Sequence, residues 1–261
     1  MIAVAALLLL ADPVVAPPPP APLAASPIAF APPIGRTMTY RVTNRRLARD
    51  GSMANFTLVY ALRWDRVGRG VQLVATLRDV TSDARPELAQ AFDRLMQPLV
   101  DQAITYLVAP DGSHIDLVDP EGLWQRVLGQ TQAMAGAAGQ AEAKQAARLL
   151  AALSPADRER LATSDIRALI VPANAEIPAS AATGVSARQE GGLRTIARTE
   201  KSDSAAVGAQ PPIEIDARWT IDAATGLLVG ERRQSWIAGA GEGGRRLVEE
   251  RIRQVELADP R

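Results

Sequence analysis

The chain reads as an α+β protein: an antiparallel, curved sheet built from N- and C-terminal strands, with central helices packed on one face. Three observations predict this. Apolar and polar residues alternate with period two through residues 37–78 and again through 193–257. Between those stretches the apolar period lengthens to that of a helix. Runs of strands, then helices, then strands indicate a segregated α+β fold rather than a βαβ alternation.

The first predicted strand is Thr37 to Leu47. In the second, Phe56, Leu58, Tyr60, Leu62 and Trp64 alternate with Thr57, Val59, Ala61 and Arg63; in the third, Val71, Leu73, Ala75 and Leu77 alternate with Gln72, Thr76 and Arg78. Alternation of this kind puts one set of side chains on the core face. Asp50-Gly51 and Gly68-Arg69-Gly70 suit the hairpin turns between them. Leu88, Ala91, Phe92, Leu95, Met96 and Leu99 then fall at helical spacing over 85–101, and Pro98 should end that helix near Met96.

Ile104 to Val108 and Ile115 to Val118 flank Pro110-Asp111-Gly112-Ser113, a short hairpin. Asp119-Pro120 is an N-cap followed by proline at the first helical position. The helix it opens carries Leu123, Trp124, Val127, Leu128 and Met134, with a break expected at Gly136 and Gly139 before Leu149, Leu150 and Leu153. Ser154-Pro155-Ala156-Asp157 repeats the cap for a helix over 155–170, and Pro172 and Pro178 mark its exit.

Leu193 to Thr199 returns to strand, followed by a polar loop from Glu200 to Pro212. In the next strand Ile213, Ile215, Ala217, Trp219 and Ile221 face one way, and Glu214, Asp216, Arg218, Thr220 and Asp222 the other. A turn at Ala223 to Gly226 leads to a strand over 227–237. Arg245 to Leu257 is read as a strand, although Val248, Ile252 and Val255 also suit a helix. The layout is similar to that of bacterial lipoprotein carriers of the outer-membrane sorting pathway; the likeness is one of fold and carries no function.

Three regions are expected: a signal peptide over 1–25, a proline-rich spacer over 26–36, and one α+β domain over 37–258. Ile2 to Ala11 is an unbroken apolar run. It is too short for a membrane span of about 20 residues and matches a signal-peptide core of roughly 7–15. No Lys or Arg precedes it, which points to a weak signal or an upstream start. Cleavage is expected after Ala25 rather than Ala16, because Pro17 would be a poor first residue. The reading is therefore an exported, periplasmic protein with no transmembrane segment in its mature chain.

Composition narrows the chemistry. Apolar residues make up 47% and charged residues 22%, as in globular chains. The 29 basic residues balance 29 acidic ones, so no basic footprint points to nucleic acid. Without cysteine there is no disulfide, thiolate nucleophile, iron–sulfur cluster or thiolate zinc site.

The single histidine, His114, lies near Asp111, Ser113 and Asp116. On a strand Ser113 and His114 point to opposite faces, which opposes a Ser-His-Asp triad and favours a polar hairpin tip. Asp116, Asp119 and Glu121 are oxygen donors, but their spacing is not that of the twelve-residue calcium loop, and capping accounts for Asp119. Paired carboxylates, as in glycoside hydrolysis, need not be near in sequence, so an acidic-residue hydrolase is the weakest alternative. Gly239 to Gly244 lacks a Gly-Lys-Ser/Thr ending and reads as a hairpin tip rather than a phosphate loop. No catalytic residue, metal ligand or cofactor is assigned.

The aromatics supply the candidate site. Tyr60, Trp64 and Trp219 fall on apolar strand faces, Tyr40 joins them, and Trp124 starts the central helix. They line an apolar cavity between sheet and helices or fill an ordinary core. The expected function is a non-catalytic exported protein that binds a hydrophobic small molecule or an envelope protein. The alternative is a structural or interaction protein with a filled core.

Overall fold

A computed structural model describes residues 28–48, 50–138, 151–174, 184–202, 212–239 and 244–257. The signal peptide, the break after Gly136, Pro178, the centre of the 200–212 loop and the glycine tip at 240–243 lie outside the described residues.

Among the described residues ten strands form one open antiparallel sheet: β1 (Thr37–Leu47), β2 (Met53–Val67), β3 (Gly70–Ser82), β4 (Ala103–Val108), β5 (Ile115–Leu117), β6 (Val185–Glu190), β7 (Leu193–Ser202), β8 (Ile213–Asp222), β9 (Leu228–Ala238) and β10 (Arg245–Leu257). Their spatial order is β5-β4-β3-β2-β1-β10-β9-β8-β7-β6. Sequential hairpins build each half. The halves join where the first strand pairs with the last, with Tyr40 opposite Val255 and Val42 opposite Arg253. Residues 245–257 are a strand, because β1 and β9 flank them on both sides.

Helices interrupt the strands, among the described residues α1 (Pro86–Met96), α2 (Pro120–Ala138) and α3 (Pro155–Asn174). α1 ends at Met96 and passes into a 3-10 turn containing Pro98, as proline dictates. The Asp119 carboxylate accepts the Gly122 amide at 3.0 Å, the expected cap of α2. Ser154 Oγ accepts the Asp157 amide at 3.2 Å at the start of α3. α3 continues through Pro172 to Asn174, past the expected exit, although Pro172 has no amide to offer the Ala168 carbonyl.

Tyr40, Tyr106 and Arg253 occupy one face of the sheet and all bond to α3 or its carbonyls. The Tyr40 hydroxyl donates to the Asp165 carbonyl at 3.3 Å, and that of Tyr106 to the Ala162 carbonyl at 2.9 Å. Ile166, Leu169 and Ile170 of α3 join Leu123, Trp124 and Val127 of α2 in the main core with β1 to β5. Phe92 of α1 stacks edge-on to Phe56 of β2, centroids 4.9 Å apart.

In two places the structure goes beyond the sequence reading. Residues 28–36 contain no helix and no ladder strand, as their prolines predict, and they turn at Gly35 (φ +73°). Ile28 and Phe30 are buried, and Phe30 meets Trp64 edge-on at 5.6 Å. Proline removes a ladder donor without preventing its neighbours from being buried. The second place is β6, where no strand was expected; its side chains after Val185 are exposed and carry no apolar alternation. β7 also runs to Ser202, into the expected loop. Among the described residues no helix is long and apolar enough to cross a membrane.

Candidate functional site: a charged cavity on strands β7 to β9

Alternation and register together build the site. Arg198 and Glu200 of β7, Ile215, Ala217 and Trp219 of β8, and Glu231 and Arg233 of β9 line a cavity of about 210 Å3. All seven project from the face that carries Tyr40 and Arg253. Arg198, Ala217 and Arg233 stand in one cross-strand row, and Ile196, Trp219, Glu231 and Arg253 in the next. Ala217 lies between Ile215 and Trp219 along β8. Its methyl cannot fill the space between two larger neighbours, so the floor there is apolar and recessed.

The charges around this floor are connected. Arg253 is almost wholly buried and reaches Glu231 at 2.5 Å and Asp165 of α3 at 2.7 Å. Arg198 pairs with Glu200 at 2.6 Å. Arg251, in the row of Arg233, donates to the Asn44 amide oxygen at 2.9 Å. The three tyrosines lie close to this network. Burial pushes the Tyr40 and Tyr60 hydroxyls far above the usual tyrosine range, and the Asp165 carboxylate adds to it. Burial does the same to Tyr106. All three are therefore neutral hydrogen-bond donors at physiological pH.

The five aromatics singled out in the sequence all join the main core or pack against it, and one of them also lines the cavity. Trp219 lines the cavity. Tyr40, Trp64 and Trp124 are buried members of the main core, and Tyr60 packs against it. Trp64 and Trp124 Nε1 have no hydrogen-bond partner among the described residues. Arg198, Glu200, Glu231 and Arg233 were missed, because in sequence they read as ordinary polar strand positions. The available signal was Ala217, the smallest residue of the apolar set on β8.

The other candidates resolve locally. Ser113 Oγ donates to Asp111 at 2.6 Å, while His114 Nε2 lies 2.9 Å from Asp116, so serine and histidine do not pair. Asp119 caps α2, and Arg126 approaches its other oxygen at 3.5 Å. No group of three or more His, Asp or Glu side chains among the described residues converges to hold a metal.

No protein-family model matches the chain, and no curated protein matches it. Solved structures similar to it include DynF from the dynemicin biosynthesis pathway of Micromonospora chersina and a LolA superfamily protein, NE2245, from Nitrosomonas europaea. DynF is 11% identical with a TM-score of 0.22, over 96% of this chain and 95% of its own. NE2245 is 10% identical with a TM-score of 0.19, over 90% of each chain. At such scores neither carries an argument about this protein.

Proposed function

We propose that this chain is a non-catalytic, exported binding protein that holds a small molecule with an apolar part in the β7–β9 cavity. In this reading the sheet is curved and the helices cover one face of it. The observation that carries the proposal is the recess over Ala217, walled by Ile215 and Trp219. Concave apolar surface with a few placed polar groups is the usual form of a ligand site. Export rests on the Ile2 to Ala11 run. A mature mass beginning at Ser26, in protein recovered from the periplasm of an expressing bacterium, tests it.

Titration with N-phenyl-1-naphthylamine, a neutral fluorophore that brightens in apolar sites, tests binding. Saturable enhancement that falls at least fivefold in affinity in Trp219→Ala supports the proposal. No enhancement favours the second reading, a scaffold or interaction protein. That reading draws on the close packing of Tyr40, Trp64 and Trp124 with Phe30 and α3.

A further inference from the structure

We infer that the cavity selects an amphiphile with an anionic head, received by Arg233; this rests on the binding proposal above. The argument is one of charge pairing around the recess. Both lining carboxylates are already engaged, Glu231 by Arg253 and Glu200 by Arg198. The remaining carboxylate of the network, Asp165, also pairs with Arg253. Arg233 has no ion-pair or hydrogen-bond partner among the described residues, although it lines the cavity.

Its cross-strand neighbours sharpen the point. Arg233 stands opposite Ala217 on β8, with Arg198 opposite Ala217 in turn, and opposite Arg251 on β10. Like charges directly opposite in a sheet repel. Among the described residues Arg251 finds only the neutral amide of Asn44. The row therefore holds three guanidiniums, with one carboxylate, Glu200, paired to an end member. A carboxylate or phosphate placed over Ala217 offsets that repulsion and accepts the planar, two-pronged donor set of Arg233. The apolar body of the same molecule then lies against Trp219 and Ile215. Polar head and apolar tail thus meet the two chemistries that alternate along this face.

Four octyl compounds sharing one tail test the inference: octanoate, octyl phosphate, 1-octanol and octylamine, each displacing N-phenyl-1-naphthylamine. Octanoate or octyl phosphate is expected to bind about tenfold tighter than octanol, with octylamine weakest. Which anion leads separates a carboxylate ligand from a phosphate one. Arg233→Gln should erase the preference, bringing octanoate and octyl phosphate down to the affinity of octanol for the same variant. Arg233→Glu should turn it toward octylamine. Arg218→Gln, on the same sheet but the opposite face, should change none of these values. Equal affinity for octanol and both anions, or an anion preference that survives Arg233→Gln, overturns the inference and leaves the binding proposal standing. Failure of the fluorophore and all four compounds to bind overturns both.

Discussion

Arg253 and Asp165, 88 residues apart in sequence, meet at 2.7 Å and tie the last strand of the sheet to α3. The same guanidinium holds Glu231 at 2.5 Å from the neighbouring strand. Arg253 and Glu231 are both nearly inaccessible, so each charge depends on the other for compensation.

Breaking this pair from one side should be costly. Arg253→Ala leaves Glu231 buried without its cation, and a loss of about 3–5 kcal/mol is expected. Replacing both residues, Arg253→Met with Glu231→Leu, should cost much less than Arg253→Ala alone, because the fully buried carboxylate is removed with its cation and only Asp165, which reaches solvent, loses a partner. Urea denaturation of the single and double variants checks the ordering. A double variant as unstable as Arg253→Ala would show that the pair itself, rather than its compensation, carries the stability.

The tyrosines predict the alkaline limit. Burial raises the hydroxyls of Tyr40, Tyr60 and Tyr106, the only tyrosines in the chain. A group whose folded value is raised contributes stability that is full below its unfolded value and is lost as pH climbs above it. With an unfolded tyrosine near 10, stability should decline above about pH 10. Tyrosinate absorbance should stay low at pH 10.5 and then rise together with loss of the circular dichroism signal. Independent titration of one tyrosine near pH 10, in folded protein, would contradict this.

Glu250 sets an acid limit on the opposite face. Its side chain is fully covered, which acts to raise its pKa, but hydrogen bonds and charge from Arg232 and Arg45 outweigh burial and hold it below the usual glutamate range. A lowered folded value contributes stability above the unfolded value, near 4.3, that is lost as pH falls through the folded one. The stability difference between wild type and Glu250→Gln should therefore be largest near neutrality and shrink below about pH 4. A difference that stays constant from pH 7 to pH 3 would rule out this linkage.

Gly226 is required where the chain's first described segment crosses the β8–β9 turn. It has φ +70°, and an added Cβ would lie 2.5 Å from the Ala29 carbonyl oxygen. The Ala31 amide donates to Thr225 at 2.8 Å in the same crossing. Gly226→Ala should cost about 2–4 kcal/mol, combining left-handed strain with the clash. Gly51, at φ +86° with open space around it, provides the comparison: Gly51→Ala should cost only about 1–2 kcal/mol. Equal costs for the two would show that the 28–31 segment yields easily.

Alternation is a property of two neighbouring residues, so it was readable directly from the chain. Ile213 to Ile221 on β8, the turn at 223–226, the hairpins at 50–51 and 68–70, the Asp119 cap and the end of α1 before Pro98 all follow from such local rules. Strand order, register and partner choice are long-range. Only the tertiary structure set β1 beside β10, put Phe30 against Trp64, recruited the exposed and patternless β6, and brought Arg253 to Asp165. The cavity belongs to this second kind. Ala217 is small in any context, but it becomes a recess between arginines only when β7 and β9 align their side chains on either side of it.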